Sequence, residues 1–250
     1  MYNRREFIKG ISWLGVSALM PMPVMALDRL SHKVEDYSIE DLMGKSKAPL
    51  YGNGYNLRFE ASEALKNMLA AASKDGFKPY VVSSYRSYNH QKRIWDNKYN
   101  KFTKSGLSPE QAIAKIIQYS TIPGTSRHHW GTDFDIIASA KNIPSNPLNE
   151  KHFNMGGPYY EFKLWLNDHA KGFGFYEVYT DKPGRKGFEY EPWHFSYAPT
   201  SCEMFKQYLD KEVLGELYGS NIAGAKYLTQ EFLTQYLNEN LLDINPELIP

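Results

Sequence analysis

One cysteine, Cys202, stands in 250 residues, so no internal disulfide can staple this chain. Its late position also excludes a lipid-anchored amino-terminal cysteine, and it is read as a small buried thiol. Stability must then come from an apolar core or from a bound metal. A surplus of one charge is missing too, because 29 Lys and Arg face 28 Asp and Glu. Nothing in that balance points to a phosphate-backbone binder, which carries a basic excess, and no nucleic-acid partner is expected. The cations Lys92, Arg93, Lys98, Lys101 and Lys104 are read instead as a solvated helix face. No internal repeat is visible. The chain also lacks a clean membrane span: Gly10 to Ala26 is 17 residues, broken by Pro21 and Pro23, against roughly 18 to 20 apolar residues for a crossing helix.

What the sequence does hold is 42% hydrophobic and 15% aromatic residues, ample for one large domain or two small ones. Residues 1–26 have a basic start, an apolar middle and a small-residue exit at Val24-Met25-Ala26, the layout of a cleaved signal peptide. Within it, Asn3-Arg4-Arg5-Glu6-Phe7-Ile8-Lys9 is similar to a twin-arginine export sequence, with Asn3 where Ser or Thr is usual. Cleavage near Ala26 removes Arg4, Arg5, Lys9 and Glu6 and turns the net charge from +1 to −1. No membrane anchor is expected to remain.

Residues 27–56 are polar and turn-rich and read as an amino-terminal arm over a core spanning 57–198. Helical spacing of Ala61, Leu65, Met68, Leu69 and Ala72 predicts a helix over 60–73. A strand is predicted over 77–84, then a helix over 87–99. Ser108-Pro109-Glu110-Gln111 supplies an N-cap, a proline at the first helical position and a capping-box glutamine. A short strand follows over 134–138, then a loop through 149, and a helix over 158–170 with Gly172 as its terminal cap. Strands are predicted over 173–179 and 189–197, and two helical patterns over 199–250 form a carboxy-terminal extension. Helices first and paired strands later make the fold class α+β, a small antiparallel sheet packed with helices.

Three segments carry polar residues that a core does not need: Ser126-Arg127-His128-His129-Trp130-Gly131, Asp133-Phe134-Asp135 and Glu191-Pro192-Trp193-His194. A catalytic zinc takes three N or O ligands and leaves one position open, and two histidines with one carboxylate satisfy that. Cysteine is absent from all three segments, which argues against a closed structural zinc site. Glu191, three residues before His194, can stand beside a metal without binding it and serve as a base. Any one of these side chains alone would be an ordinary surface or core residue; their combination carries the argument.

Ser83-Ser84-Tyr85-Arg86-Ser87, Pro123-Gly124-Thr125-Ser126-Arg127-His128, Gly131, Asp135 and Glu191-Pro192-Trp193-His194 together resemble the zinc D-alanyl-D-alanine carboxypeptidases of the vancomycin-resistance type, over roughly residues 55–198. The family pattern has Ser-x-His, six intervening residues, Asp, and later Glu-x-x-His, and His128 and Asp135 have that spacing. The resemblance implies one zinc per chain held by His128, Asp135 and His194, with Glu191 as the catalytic base. It also implies that Arg86 meets the substrate's carbonyl or terminal carboxylate, and that Tyr85, Gln91 and Ser126 line the substrate site. A guanidinium suits that role because it keeps its charge at every working pH. Asp133 departs from the family, which usually has a small apolar residue there. Strand periodicity puts Asp133 and Asp135 on one face, so both compete for the ligand role, and the family spacing favours Asp135. His129, read as a neighbouring strand residue, is expected to point away from the metal.

The activity so implied is removal of the terminal D-Ala from peptidoglycan stem peptides, in the periplasm or on the wall side of the inner membrane. Two other readings are an L,D-carboxypeptidase or cross-link endopeptidase built on the same site, and a zinc-containing wall-binding module without catalysis. The presence of Glu191 weighs against the last.

Overall fold

The structure, a computed structural model, describes residues 35–139 and 143–250. The expected signal peptide therefore lies outside the described residues. Asp36–Pro250 form one compact unit. Its elements in chain order are α1 (Ile39–Leu42), α2 (Phe59–Lys74), β1 (Pro79–Ser83), α3 (Tyr88–Lys104), α4 (Pro109–Ile116), β2 (Asp133–Ala138), α5 (Tyr160–His169), β3 (Phe175–Glu177), β4 (His194–Tyr197), α6 (Ala198–Asp210) and α7 (Gln230–Tyr236). The sheet is antiparallel throughout, in the order β1-β2-β4-β3, and the class is α+β.

Alternation along β2 explains the layering. Phe134, Ile136 and Ala138 enter one core with Leu65 and Met68 of α2, Phe162 and Leu166 of α5, and Phe175 and Phe195 of the neighbouring strands. Asp133, Asp135 and Ile137 face the other way, and they too are buried, because the sheet is covered on both sides. A second core on the α3 side gathers Trp95, Trp130, Phe205, Tyr208 and Tyr236. The carboxy-terminal segments contribute much of it, so the polar face of β2 lies under a well-packed roof.

Local signals act as the sequence leads one to expect at several ends. Ser108 and Gln111 form a reciprocal capping box with Pro109 in the first turn of α4. In the described part of the amino-terminal segment, Ser38 and Asp41 do the same for α1 and bring Leu42 and Met43 into the α3-side core.

Other ends differ. The helix after Ser87 runs on to Lys104, its Trp95 fully buried with Nε1–H donating to Ala223 O at 2.9 Å. Helix α5 is closed by Gly174, at φ +83°, after a 3-10 turn over Ala170–Phe173 that contains Gly172. A left-handed backbone there is cheap only without a Cβ. The predicted strand over 189–197 is strand only from His194, since His194 N–H donates to Glu191 O at 3.0 Å and makes Glu191–Trp193 a turn. The last fifty residues break into α6, 3-10 turns at Val213–Leu217 and Ala225–Tyr227, α7 and a π turn at Leu237–Leu241, because Gly215, Gly219 and Gly224 interrupt the pattern. Cys202 is partly exposed.

Phe134 is fully buried, with its ring 5.0 Å from Phe175 and 6.3 Å from Phe195. Phe134→Ala is expected to cost about 3–5 kcal/mol, seen as a lowered urea midpoint at unchanged slope.

Candidate metal centre

Four pieces of chain build the site. The first is the turn after Ser126, a 3-10 helix over Arg127–Trp130 ended by Gly131 at φ +68°. A Cβ on Gly131 would also meet Leu50 Cδ2 at 3.0 Å. The tight turn sends His128 and His129 different ways. His128 Nδ1–H donates to Ser84 O at 2.8 Å, which leaves Nε2 facing Asp135 Oδ1 at 3.6 Å. His129 is buried elsewhere: it donates from Nδ1 to Arg86 O, and its Nε2 accepts from Gly124 N–H at 3.1 Å. It is thus a buried helical residue and not a strand neighbour of His128, although it does point away from the cluster. The same turn hangs on the carboxy-terminal segments, since Tyr236 Oη accepts from Ile122 N–H at 3.3 Å and bonds Thr125 Oγ1 at 2.9 Å. Tyr208 Oη–H donates to Gly124 O at 3.3 Å.

The second and third pieces are β2 and β4, whose register places Asp135 opposite His194 and Asp133 opposite Ser196. His194 stacks on His128 with ring centres 4.7 Å apart. Its Nδ1 is 3.0 Å from Glu191 Oε2, and its Nε2 is 3.2 Å from Asp133 Oδ1. The fourth piece is the irregularity between Val81 and Ser83 in β1, which ends regular pairing and brings Ser84 and Arg86 to the rim.

His128, Asp135 and His194 are all buried, and one ligand atom from each lies within 4.8 Å of the others. Asp135 Oδ1 is buried without a hydrogen-bond partner beside two imidazoles, an arrangement that a cation completes. Ligand atoms 2.0–2.1 Å from a tetrahedral zinc stand roughly 3.3 Å apart, and the His128–Asp135 separation is close to that. The residues therefore fit a two-nitrogen, one-oxygen zinc set. In the metal-free protein, burial works against a charged His194, but hydrogen bonds to Asp133 and Glu191 outweigh it and push its pKa up to about 10. Burial opposes the Asp135 charge as well, and the neighbouring His128 leads the interactions that hold its carboxyl below the ordinary range.

A cavity of about 730 Å³ opens over this cluster, lined among others by Arg86, Ser126, His128, Asp135, Glu191 and His194. Gln91 and Tyr85, expected in the substrate site, are not among its lining residues. Gln91 is fully buried and acts through Arg86: its Oε1 accepts from Arg86 Nη1 at 2.8 Å while its Nε2 donates to Thr121 O at 2.8 Å. Tyr85 is half-buried, and its backbone N–H donates to Asn56 O at 3.1 Å. Lys98, read from sequence as solvated, instead lines the cavity and donates to Ser120 Oγ at 2.6 Å. Its signal was helical spacing, since Gln91, Ile94 and Lys98 share a face of α3. Neither Arg86 nor Lys98 has a carboxylate partner among the described residues.

Burial pushes the His129 pKa down to about 3, and the Gly124 N–H aimed at its Nε2 leaves no room for a second proton. A histidine depressed below its unfolded value near 6.5 stabilises the fold in full above that pH and loses the contribution as pH falls toward 3. In urea denaturation in chelator, the stability that the native protein holds over His129→Gln is expected to fall by about 1.6 kcal/mol between pH 6.5 and pH 5. A difference that stays constant over that range would contradict it.

Residues 54–200 match the family model described as "VanY: D-alanyl-D-alanine carboxypeptidase". A D-alanyl-D-alanine carboxypeptidase of Enterococcus faecalis is 32% identical over 147 residues, 58% of this chain and 50% of the relative. The putative carboxypeptidase YodJ of Bacillus subtilis is 36% identical over 143 residues, 57% of this chain and 46% of the relative. The chain thus spans about half the length of these two curated relatives. Among solved structures, VanYB in complex with D-alanine-D-alanine is 26% identical, with a TM-score of 0.49, covering 75% of this chain and 91% of that one. With well over half its length matched to that model, the chain belongs to the VanY D-alanyl-D-alanine carboxypeptidase family.

Proposed function

We propose that this protein is an exported zinc-dependent carboxypeptidase that removes the terminal D-Ala from peptidoglycan stem peptides. His128, Asp135 and His194 hold the zinc in this reading, and Glu191 is the base. The observation that carries it is the buried His128–Asp135–His194 cluster on the cavity wall, with the Glu191 carboxylate 3.0 Å from His194. Membership in the family supports the substrate class. Export rests on the signal-like residues 1–26 and would put the enzyme on the side of the membrane where the wall polymer lies. No helix among the described residues is long and apolar enough to cross a membrane.

The bound ion supplies Lewis acidity toward the scissile carbonyl and toward water. Water adds to the carbonyl carbon, its proton passes to Glu191, and Glu191 returns it to the nitrogen of the departing D-Ala as the C–N bond breaks. Arg86, held by Gln91 and by Ser83 Oγ at 3.1 Å, presents a fixed guanidinium to the developing oxyanion. Lys98, a second cation on the same cavity wall, suits the terminal carboxylate of the peptide, which favours carboxypeptidase over endopeptidase action.

Mass analysis of a D-Ala-D-Ala pentapeptide incubated with the purified protein and zinc tests the reading. One D-Ala per peptide is expected, abolished by a chelator, with Glu191→Ala lowering kcat by roughly 10²- to 10⁴-fold while zinc stays bound. A product other than free D-Ala would point to L,D or cross-link cleavage, and zinc uptake without any product would point to a wall-binding module. Lys98→Met is expected to cut the preference for a free terminal acid over its amide by roughly ten- to a hundred-fold in kcat/KM.

A further inference from the structure

His194 has two ring nitrogens, and a metal can take only one of them. Which one it takes is decided by what holds the other. Each ring nitrogen faces a carboxylate, Nδ1 the Glu191 Oε2 at 3.0 Å and Nε2 the Asp133 Oδ1 at 3.2 Å, so both carry a hydrogen until an ion displaces one of them, and the better-held partner decides which hydrogen stays. Asp133 is fully buried and its oxygens are saturated. Oδ1 accepts from Arg127 Nε at 3.1 Å and from His194 Nε2 at 3.2 Å. Oδ2 accepts from Thr132 Oγ1 at 2.6 Å and from Ser196 Oγ at 2.9 Å. Asp135, by contrast, presents an oxygen with no hydrogen-bond partner, 3.6 Å from His128 Nε2. Of two carboxylates on one face of β2, one is satisfied by protein and the other is open.

The clamp on Asp133 is itself fixed. Arg127 Nη2 donates to Ser196 Oγ at 2.8 Å, and the guanidinium lies 4.7 Å from the Trp130 ring centre and 5.7 Å from that of Phe205. Ser196 faces Asp133 across the β2–β4 ladder, so backbone pairing holds donor and acceptor in line. These contacts come from β2, β4, the 127–130 turn and α6, and none depends on a metal.

We propose that Asp133, clamped by Arg127 and Ser196, is a positioning residue that keeps the hydrogen on His194 Nε2, so that Nδ1, on the Glu191 side of the ring, is the nitrogen that gives up its proton when the metal binds. The inference rests on the zinc reading above and extends it to a residue outside the ligand set. His128 is set the opposite way, by the Ser84 carbonyl on its Nδ1, so the two histidines offer different ring nitrogens to one ion.

Long-range proton–nitrogen spectra of the full zinc-loaded chain, with ¹⁵N-labelled histidine, read the assignment directly. The expected result is a protonated Nε2 on His194 in the zinc-loaded native protein, and in Asp133→Ala a loss of that fixed tautomer together with zinc binding roughly 10- to 100-fold weaker in chelator competition. Zinc on Nε2 of His194 in the native protein would overturn the proposal and leave the zinc reading intact. So would an Asp133→Ala protein that binds zinc as tightly as the native one. Should that variant not fold, Ser196→Ala, which keeps both charges, is expected to weaken zinc binding in the same direction by less, and the native spectrum decides the matter. A native chain that takes up no zinc at all would sink both readings together.

Discussion

The pairing of β2 with β4 is the constraint on which the rest depends. By setting Asp135 against His194 and Asp133 against Ser196, it aligns two acids from one strand with an imidazole and a hydroxyl from the other. A slip of one residue would turn these polar side chains into the aromatic core and bring Phe134 and Phe195 onto the site face. The apolar layer of Phe134, Ile136, Phe175 and Phe195 packed on α2 and α5 therefore does more than stabilise the domain. It locks the register that assembles the chemistry.

Such a face is costly to bury. Two carboxylates, an arginine and two histidines lie within a few residues of each other under the α3-side core, and each loses its hydration there. The compensation is unequal. Asp133 and Arg127 form a buried ion pair with hydroxyl donors around it, and burial of the acid is outweighed chiefly by the Arg127 charge, so its carboxyl stays well below the ordinary range. Asp135 is left with an unpartnered oxygen. Arg127 Nη1 also lacks a hydrogen-bond partner, but of the two acids only Asp135 presents an unbonded oxygen, and it does so where a cation would sit.

Much of this was legible in the sequence, for reasons that differ by element. The capping box of α4 and the amphipathic spacing of α2 are local, and local chemistry decided them. That His128, Asp135 and His194 meet in space with Glu191 beside them was readable through motif spacing, because a metal site of the kind expected needs fixed residue types at fixed separations. Asp133 was readable only as an ambiguity. Its partners Arg127, Ser196 and Thr132 become apparent once the strand register is known, and register is a tertiary property. Gln91 and Lys98 exchanged places for a similar reason: helix periodicity gives a shared face, but only packing tells which residue is sealed behind Arg86 and which reaches the cavity. Gly172 and Gly174 lie too close together for sequence to choose between them, and the 3-10 turn between α5 and β3 made the choice.

Tyr208 and Tyr236 lie beyond residue 200, where the family match ends, yet their hydroxyls hold the 122–125 backbone that leads into the His128 turn. The stretch that the family model matches and the stretch whose contacts hold the site in shape are thus not the same stretch. A segment cut at residue 200 would keep His128, Asp135 and His194 and lose two of the struts that hold the backbone leading into the His128 turn.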